Sequence, residues 1–121
     1  MEDADRPRRY DLEDRTYRFA QAVRAFVRKL PRTLSNLEDA KQLVRASGSV
    51  GANYIEANEA FSRKDFVMRV KICRKEAKES GFFLRLVHLA GDKELESERA
   101  ALFQEATELT SIFGAIVRKT E

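Results

Sequence analysis

The sequence predicts an all-α fold, an antiparallel up-and-down four-helix bundle, on three observations. Four segments place apolar residues at steps of three and four, the helical period. Short stretches of capping and breaking residues separate them, and short connections set neighbouring helices antiparallel. Only 5 glycines and 2 prolines occur in 121 residues, while 36% are charged, which suits amphipathic helices better than strands and turns. No segment shows the alternating period of a strand.

The polar stretch Met1–Tyr10 reads as a flexible arm, and residues 11–121 read as one domain. The first helix is expected from Asp11 to Leu30. Asp11 is a good N-cap, and Glu13 and Asp14 favour the first turn. Phe19, Val23, Phe26, Val27 and Leu30 give its core face, with Thr16 and Ala20 filling in. Pro31 ends it, because a proline ring disfavours helical geometry in the residue before it.

The second helix is expected from Ser35 or Asn36 to Ala60. Leu37, Ala40, Val44, Ser47, Gly51, Tyr54 and Asn58 form its seam. Gly48 and Gly51 each cost about 1 kcal/mol against alanine in a helix. A pair so placed predicts a close helix–helix approach within a continuous helix; a loop at Ser47–Gly51 is the competing reading.

Ser62, Asp65 and Phe66 then mark a helix start. The Ser62 hydroxyl can accept from an early backbone N–H, and the Asp65 carboxylate complements the positive end of the helix dipole. Phe66, Val70, Cys73, Ala77, Ser80, Leu84 and Val87 form a heptad-like seam. This third helix is expected to run from Arg63 to Ala90, with Gly91 as a left-handed cap. Ile72, Phe83 and Leu86 form a second flank, and Gly81 is expected opposite the small residues of the second helix. The fourth helix starts between Asp92 and Ser97 and ends near Lys119. Leu95, Leu102, Ala106, Leu109, Phe113 and Ile116 are its seam, widened by Phe103, Ile112 and Val117.

Charge is unevenly placed although the net value is only +3. Residues 61–90 hold eight Lys/Arg against three Asp/Glu, a balance of +5; residues 91–121 hold four against seven, a balance of −3. Lys64, Lys71, Lys75, Lys78 and Arg85 share one face of the third helix, broadened by Arg63, Arg69 and Arg74. Such a face can bind phosphate. It can also be a solvated surface, or it can pair with acidic residues of the fourth helix. No aromatic residue is expected among the cations, so binding would read little base sequence.

Catalytic chemistry finds little footing. The lone histidine, His88, has Arg85 three residues before it, so the paired Glu-x-x-His pattern of a di-iron bundle is missing. A metal-dependent enzyme would have to rely on Glu56, Glu59, Glu76 and Glu79. Ion pairing with Arg74 and Lys75 is the simpler reading of the last two. No histidine stands at a predictable position beside Ser47, Ser49, Ser62 or Ser80, and there is no phosphate-binding glycine loop. Cys73 reads as a buried free thiol. Asn53 and Glu56, one turn apart, read either as an exposed polar pair or as one that caps or registers a contact with a basic residue of the third helix or of another subunit. No cofactor is expected. No apolar run reaches membrane-spanning length and Met1–Glu2–Asp3 begins no signal peptide. A single cysteine cannot form an internal disulfide, and the expectation is a cytoplasmic protein.

Three blocks carry a resemblance. They are Ser49-Val50-Gly51-Ala52-Asn53-Tyr54-Ile55-Glu56-Ala57, Ser62-Arg63-Lys64-Asp65-Phe66 and Lys75-Glu76-Ala77-Lys78-Glu79-Ser80. Asp11-Leu12-Glu13-Asp14-Arg15-Thr16 with Phe19, and Lys41-Gln42-Leu43, extend it over about Tyr10 to Val117. The chain resembles the four-helix bundle proteins encoded in intervening sequences of bacterial 23S ribosomal RNA genes. The resemblance implies a ring-shaped homopentamer without established enzymatic activity. It also implies kinship with the accessory protein of diversity-generating retroelements, a basic pentamer that binds reverse transcriptase and nucleic acid. The expected partners are therefore further copies of the chain, RNA or DNA, and reverse transcriptase or another protein. A protein-interaction scaffold without nucleic acid is the alternative.

Overall fold

A computed structural model describes residues 2–121, with side chains from residue 11 onward. The side chains of Met1–Tyr10, expected as an arm, lie outside the described residues, but the first helix, expected from Asp11 with Asp11 as its N-cap, already runs from Glu2, so Asp11 lies inside it and caps nothing. The elements are α1 (Glu2–Val27), α2 (Leu34–Asn58), α3 (Arg63–Leu86) and α4 (Lys93–Thr120). Each packs against its neighbour in sequence, and α4 returns to α1. The α2–α3 and α3–α4 contacts are extensive, whereas α1 and α4 meet least. Among the described residues no helix is long and apolar enough to cross a membrane.

The caps follow local chemistry. Oγ1 of Thr33 accepts from the Asn36 N–H at 3.1 Å, so α2 begins slightly earlier than expected. Oγ of Ser62 accepts from the Asp65 N–H at 3.1 Å, as its spacing predicts. Asp92 accepts from the N–H groups of Glu94 and Leu95 at the start of α4. At the end of α1 the bonding tightens to i→i−3, with Lys29 N–H to Phe26 C=O at 3.0 Å and Leu30 N–H to Val27 C=O at 3.2 Å. The helix proper thus stops at Val27, three residues before the Leu30 boundary set by Pro31, and Leu30 still reaches the core.

The core joins Val23 and Phe26 of α1, Leu43 and Val50 of α2, Val70 and Leu84 of α3, and Leu109 and Phe113 of α4. Burying a side chain of this kind stabilises by roughly 1.5–3 kcal/mol. The α3 seam lies as predicted: Val70, Cys73, Ala77, Ser80, Leu84 and Val87 are buried. Val117, read as a widening position of α4, is also core.

Three further expectations need correction. The buried face of α2 is Leu43, Ala46, Ser47, Val50, Tyr54 and Ala57, turned from the expected seam, and Leu37 is exposed. Both series step by three and four. The larger side chains take the centre of the bundle, and the glycines lie on the flank facing α1. There a Cβ at Gly51 would stand 2.9 Å from Oγ1 and 3.3 Å from Cβ of the buried Thr16. Gly81 faces Phe103 and Ala106 of α4, not the small residues of α2.

The third correction is the end of α3. The helix stops at Leu86, and Val87 is extended at φ −64°, ψ 143°. Val87 and Leu89 are both buried while His88 between them is exposed. An extended segment can point alternate residues inward, which a helix cannot. The buried Asn36 side chain holds this segment. Its Nδ2 donates to Pro31 C=O at 2.9 Å and His88 C=O at 2.8 Å, and its Oδ1 accepts from His88 N–H at 2.8 Å. Nη1 of Arg99 donates to Val87 C=O at 2.8 Å. Gly91 does take a left-handed conformation, φ 74°, but it follows Ala90 at φ 55° in the α3–α4 connection and caps no helix.

Continuity of α2 through Gly48 and Gly51 makes the two glycines unequal. Replacing Gly51 by leucine overpacks Thr16 and should destabilise by about 1–3 kcal/mol. A Cβ at Gly48 meets the end of the flexible Arg24 side chain at 3.1 Å. Gly48→Ala should therefore be neutral or gain up to about 1 kcal/mol of helix propensity. Thermal melts of both variants check this.

Candidate nucleic-acid interface

Lys64, Lys71, Lys75, Lys78 and Arg85 all stand exposed along the outer side of α3. Lys71 binds Glu121 at 2.9 Å; the other four make no ion pair among the described residues. The broadening set behaves differently. Arg63 is exposed, but Arg69 turns to α2 and donates to Oδ1 of Asn53 at 3.0 Å. Arg74 lies at the α4 side, where its Cδ would be 3.7 Å from a Cβ on Gly114.

Three acidic residues of α4, Glu98, Glu105 and Glu108, turn away from this stripe. Arg15 of α1 forks onto Glu105, Nε to Oε2 at 2.7 Å and Nη2 to Oε1 at 2.8 Å, and also reaches Glu108 at 2.8 Å. Glu98 pairs with Lys29, just beyond the end of α1, at 2.8 Å. A bidentate fork is the strong form of such a pair. It holds Arg15 firmly in its charged form, chiefly through the bond to Glu105. The Glu108 carboxyl is lowered by bonds from Gln104 and Arg15.

Glu76 and Glu79 meet neither Arg74 nor Lys75 but Arg45 of α2, at 3.4 and 3.0 Å. Glu76 is buried. Burial raises its carboxyl above the ordinary value, its bond to Glu79 adds to that, and Arg45 pulls the other way. Asn53 donates to the carbonyl and hydroxyl oxygens of Ser49, besides accepting from Arg69. Glu56 and Glu59 are exposed on α2, so the four glutamates are not brought to one centre. Among the described residues no three His, Cys, Asp or Glu side chains form a metal-binding group. Asp65 is exposed in the first turn of α3.

The serines are engaged locally. Ser47 donates to Val44 C=O, Ser80 donates to Glu76 C=O, Ser62 caps α3 and Ser49 accepts from Asn53. Burial pushes the Cys73 thiol up to about 12, which suits an inert core residue rather than a nucleophile.

One expectation about the stripe fails. Phe82 lies four residues after Lys78 and three before Arg85, and it is 55% exposed. Its spacing on the stripe is visible in the sequence, but only its neighbour Phe83 is assigned a place, on the second apolar flank.

The family model of the 23S rRNA-intervening sequence proteins matches residues 8–114. The chain belongs to this family. A crystal structure of a protein of unknown function from the S23 ribosomal protein family, from Bacteroides thetaiotaomicron VPI-5482, is similar to this intervening-sequence family member. The two are 27% identical, with a TM-score of 0.75, over 88% of this chain and 97% of that one. No curated protein matches the chain.

Glu76 carries a pH signature in this family member. Above the usual carboxylate value of 4.5 the unfolded chain gives up a proton that folded Glu76 retains. Its contribution to stability therefore falls as pH rises through that window. Glu76→Gln should melt like the parent near pH ~4 and at least as high as the parent near pH ~7. Thermal melts across this range check the sign.

Proposed function

We propose that the chain is a non-enzymatic, cytoplasmic homo-oligomer, pentameric by likeness to its family, that binds RNA or DNA through phosphate contacts along α3. One observation carries the reading. Glu105 and Glu108 of α4 are paired with Arg15 of α1 and Glu98 with Lys29, and Lys64, Lys75, Lys78 and Arg85 make no ion pair among the described residues, so these four cations of α3 remain available to an external polyanion. In a ring, symmetry repeats this face and converts a weak site into a multivalent one.

A second feature favours a protein contact. Between α1 and α4 lies a groove of about 1010 Å³, walled by Leu12, Phe19, Ile112, Ala115 and Ile116. Its rim carries both signs, Asp11 and Asp14 beside Arg18 and Lys119, which suits contact between copies of one chain. The scaffold reading keeps this contact and drops the nucleic acid. Reverse transcriptase is the protein partner that the accessory-protein kinship suggests.

Light scattering at micromolar concentration should return a multiple of 13.9 kDa, and Ala115→Arg in the groove should return the monomer mass. A monomeric parent overturns the assembly.

Changing Lys71, Lys75 and Lys78 together to glutamate should abolish binding of oligonucleotides while helical content and mass stay unchanged. Affinity of the parent should fall steeply with salt, since counterion release drives phosphate contacts. Absence of binding at low salt leaves the scaffold reading.

A further inference from the structure

A smaller groove, of about 380 Å³, separates the outer sides of α3 and α4. Lys78, Phe82 and Arg85 line it from α3, and Phe103 and Thr107 line it from α4. The Phe103 ring lies over Gly81, where an added Cβ would stand 3.4 Å from its Cε1. The glycine thus lets the ring lie low against α3. Phe82 is 55% and Phe103 38% exposed, unusual for rings of this size. Phe82 makes an edge contact with Phe83, ring centroids 5.2 Å apart, and Phe83 itself packs against the core. The exposed ring is therefore anchored. No Asp or Glu lines the groove.

We propose that this groove is a base-stacking site for single-stranded nucleic acid. A base lies on Phe82, Phe103 bounds it, and the neighbouring phosphates meet Lys78 and Arg85. The proposal rests on the reading of α3 as a nucleic-acid-binding face and adds a preference for unpaired strands. Every base has a π-face, so stacking on an aromatic ring tolerates sequence. In a duplex the bases are stacked on one another and do not reach a ring on a helix surface. Charge decides the class of occupant. An apolar protein patch laid on Phe82 and Phe103 would bury Lys78 and Arg85 beside it with no carboxylate from this groove, which is costly. A nucleotide supplies the ring and the anion together.

The test is fluorescence anisotropy on the full chain with three labelled probes. These are an oligothymidine of about 20 nucleotides, an abasic strand of the same length, and a duplex; such grooves cover roughly 4–16 nucleotides. The parent should bind oligothymidine more tightly than the abasic strand. Phe82→Ala should weaken oligothymidine about tenfold and leave the abasic strand, the duplex and the salt dependence unchanged. Phe82→Tyr should bind like the parent, which keeps the test valid if the alanine variant folds poorly. Equal affinity of the parent for oligothymidine and the abasic strand overturns stacking and leaves the phosphate-binding stripe standing. An equal loss by Phe82→Ala on all three probes does the same. A fall in mass of Phe82→Ala by light scattering marks the groove as a subunit contact and also overturns the proposal. No binding of any probe by the parent removes both readings.

Discussion

The buried amide of Asn36 is the constraint on which much of this bundle depends. It joins the α1–α2 connection to the α3–α4 connection with three hydrogen bonds, at Pro31 and at both polar groups of the His88 backbone. A buried amide left without partners costs about 1–3 kcal/mol, so the bonds and the burial stand together. They hold Val87–Leu89 extended, which allows α3 to stop at Leu86 and still bury Val87 and Leu89. The end of α3 in turn sets where α4 begins.

The position of α4 decides the charge pattern. Its carboxylates at Glu105 and Glu108 lie toward Arg15 of α1, and Glu98 toward Lys29 just beyond the end of α1, on the side where the two helices otherwise touch least. Ion pairs across a thin apolar contact hold the bundle closed there without filling it. The α1–α4 groove is the result. The same orientation turns hydroxyl and aromatic residues of α4, Thr107 and Phe103, toward the cations of α3. An asymmetry that reads in the sequence as one basic and one acidic helix becomes, in space, a basic outer face whose internal partners are occupied elsewhere.

Much of the fold was legible. The Ser62 cap, the α3 seam, the continuity of α2 and the α4 seam all follow from local rules: hydroxyl acceptors at helix starts, a period of 3.6, and the tolerance of glycine in a packed helix. The α2 register was not legible, because Val44–Gly51 and Leu43–Val50 satisfy the same spacing. Side-chain volume at the bundle centre, a property of four helices at once, chose between them. The candidate site was legible in its cations and illegible in its neighbours. Arg45, which binds Glu76 and Glu79, comes from another helix, and so does Arg15, which occupies Glu105 and Glu108.

By itself the sequence determined the number of helices, the Ser62 cap, the seams of α3 and α4, the set of cations on the outer side of α3, and the family. Tertiary structure alone decided the rotation of α2, the early end of α3, the pairing of Glu105 and Glu108 with α1, and the meeting of Phe82 and Phe103 on one groove. The physical reason is that periodicity and capping act within a few residues along the chain. Which neighbour a helix face meets depends on packing volumes and hydrogen bonds between residues that are distant in sequence, as Asn36 and His88 are.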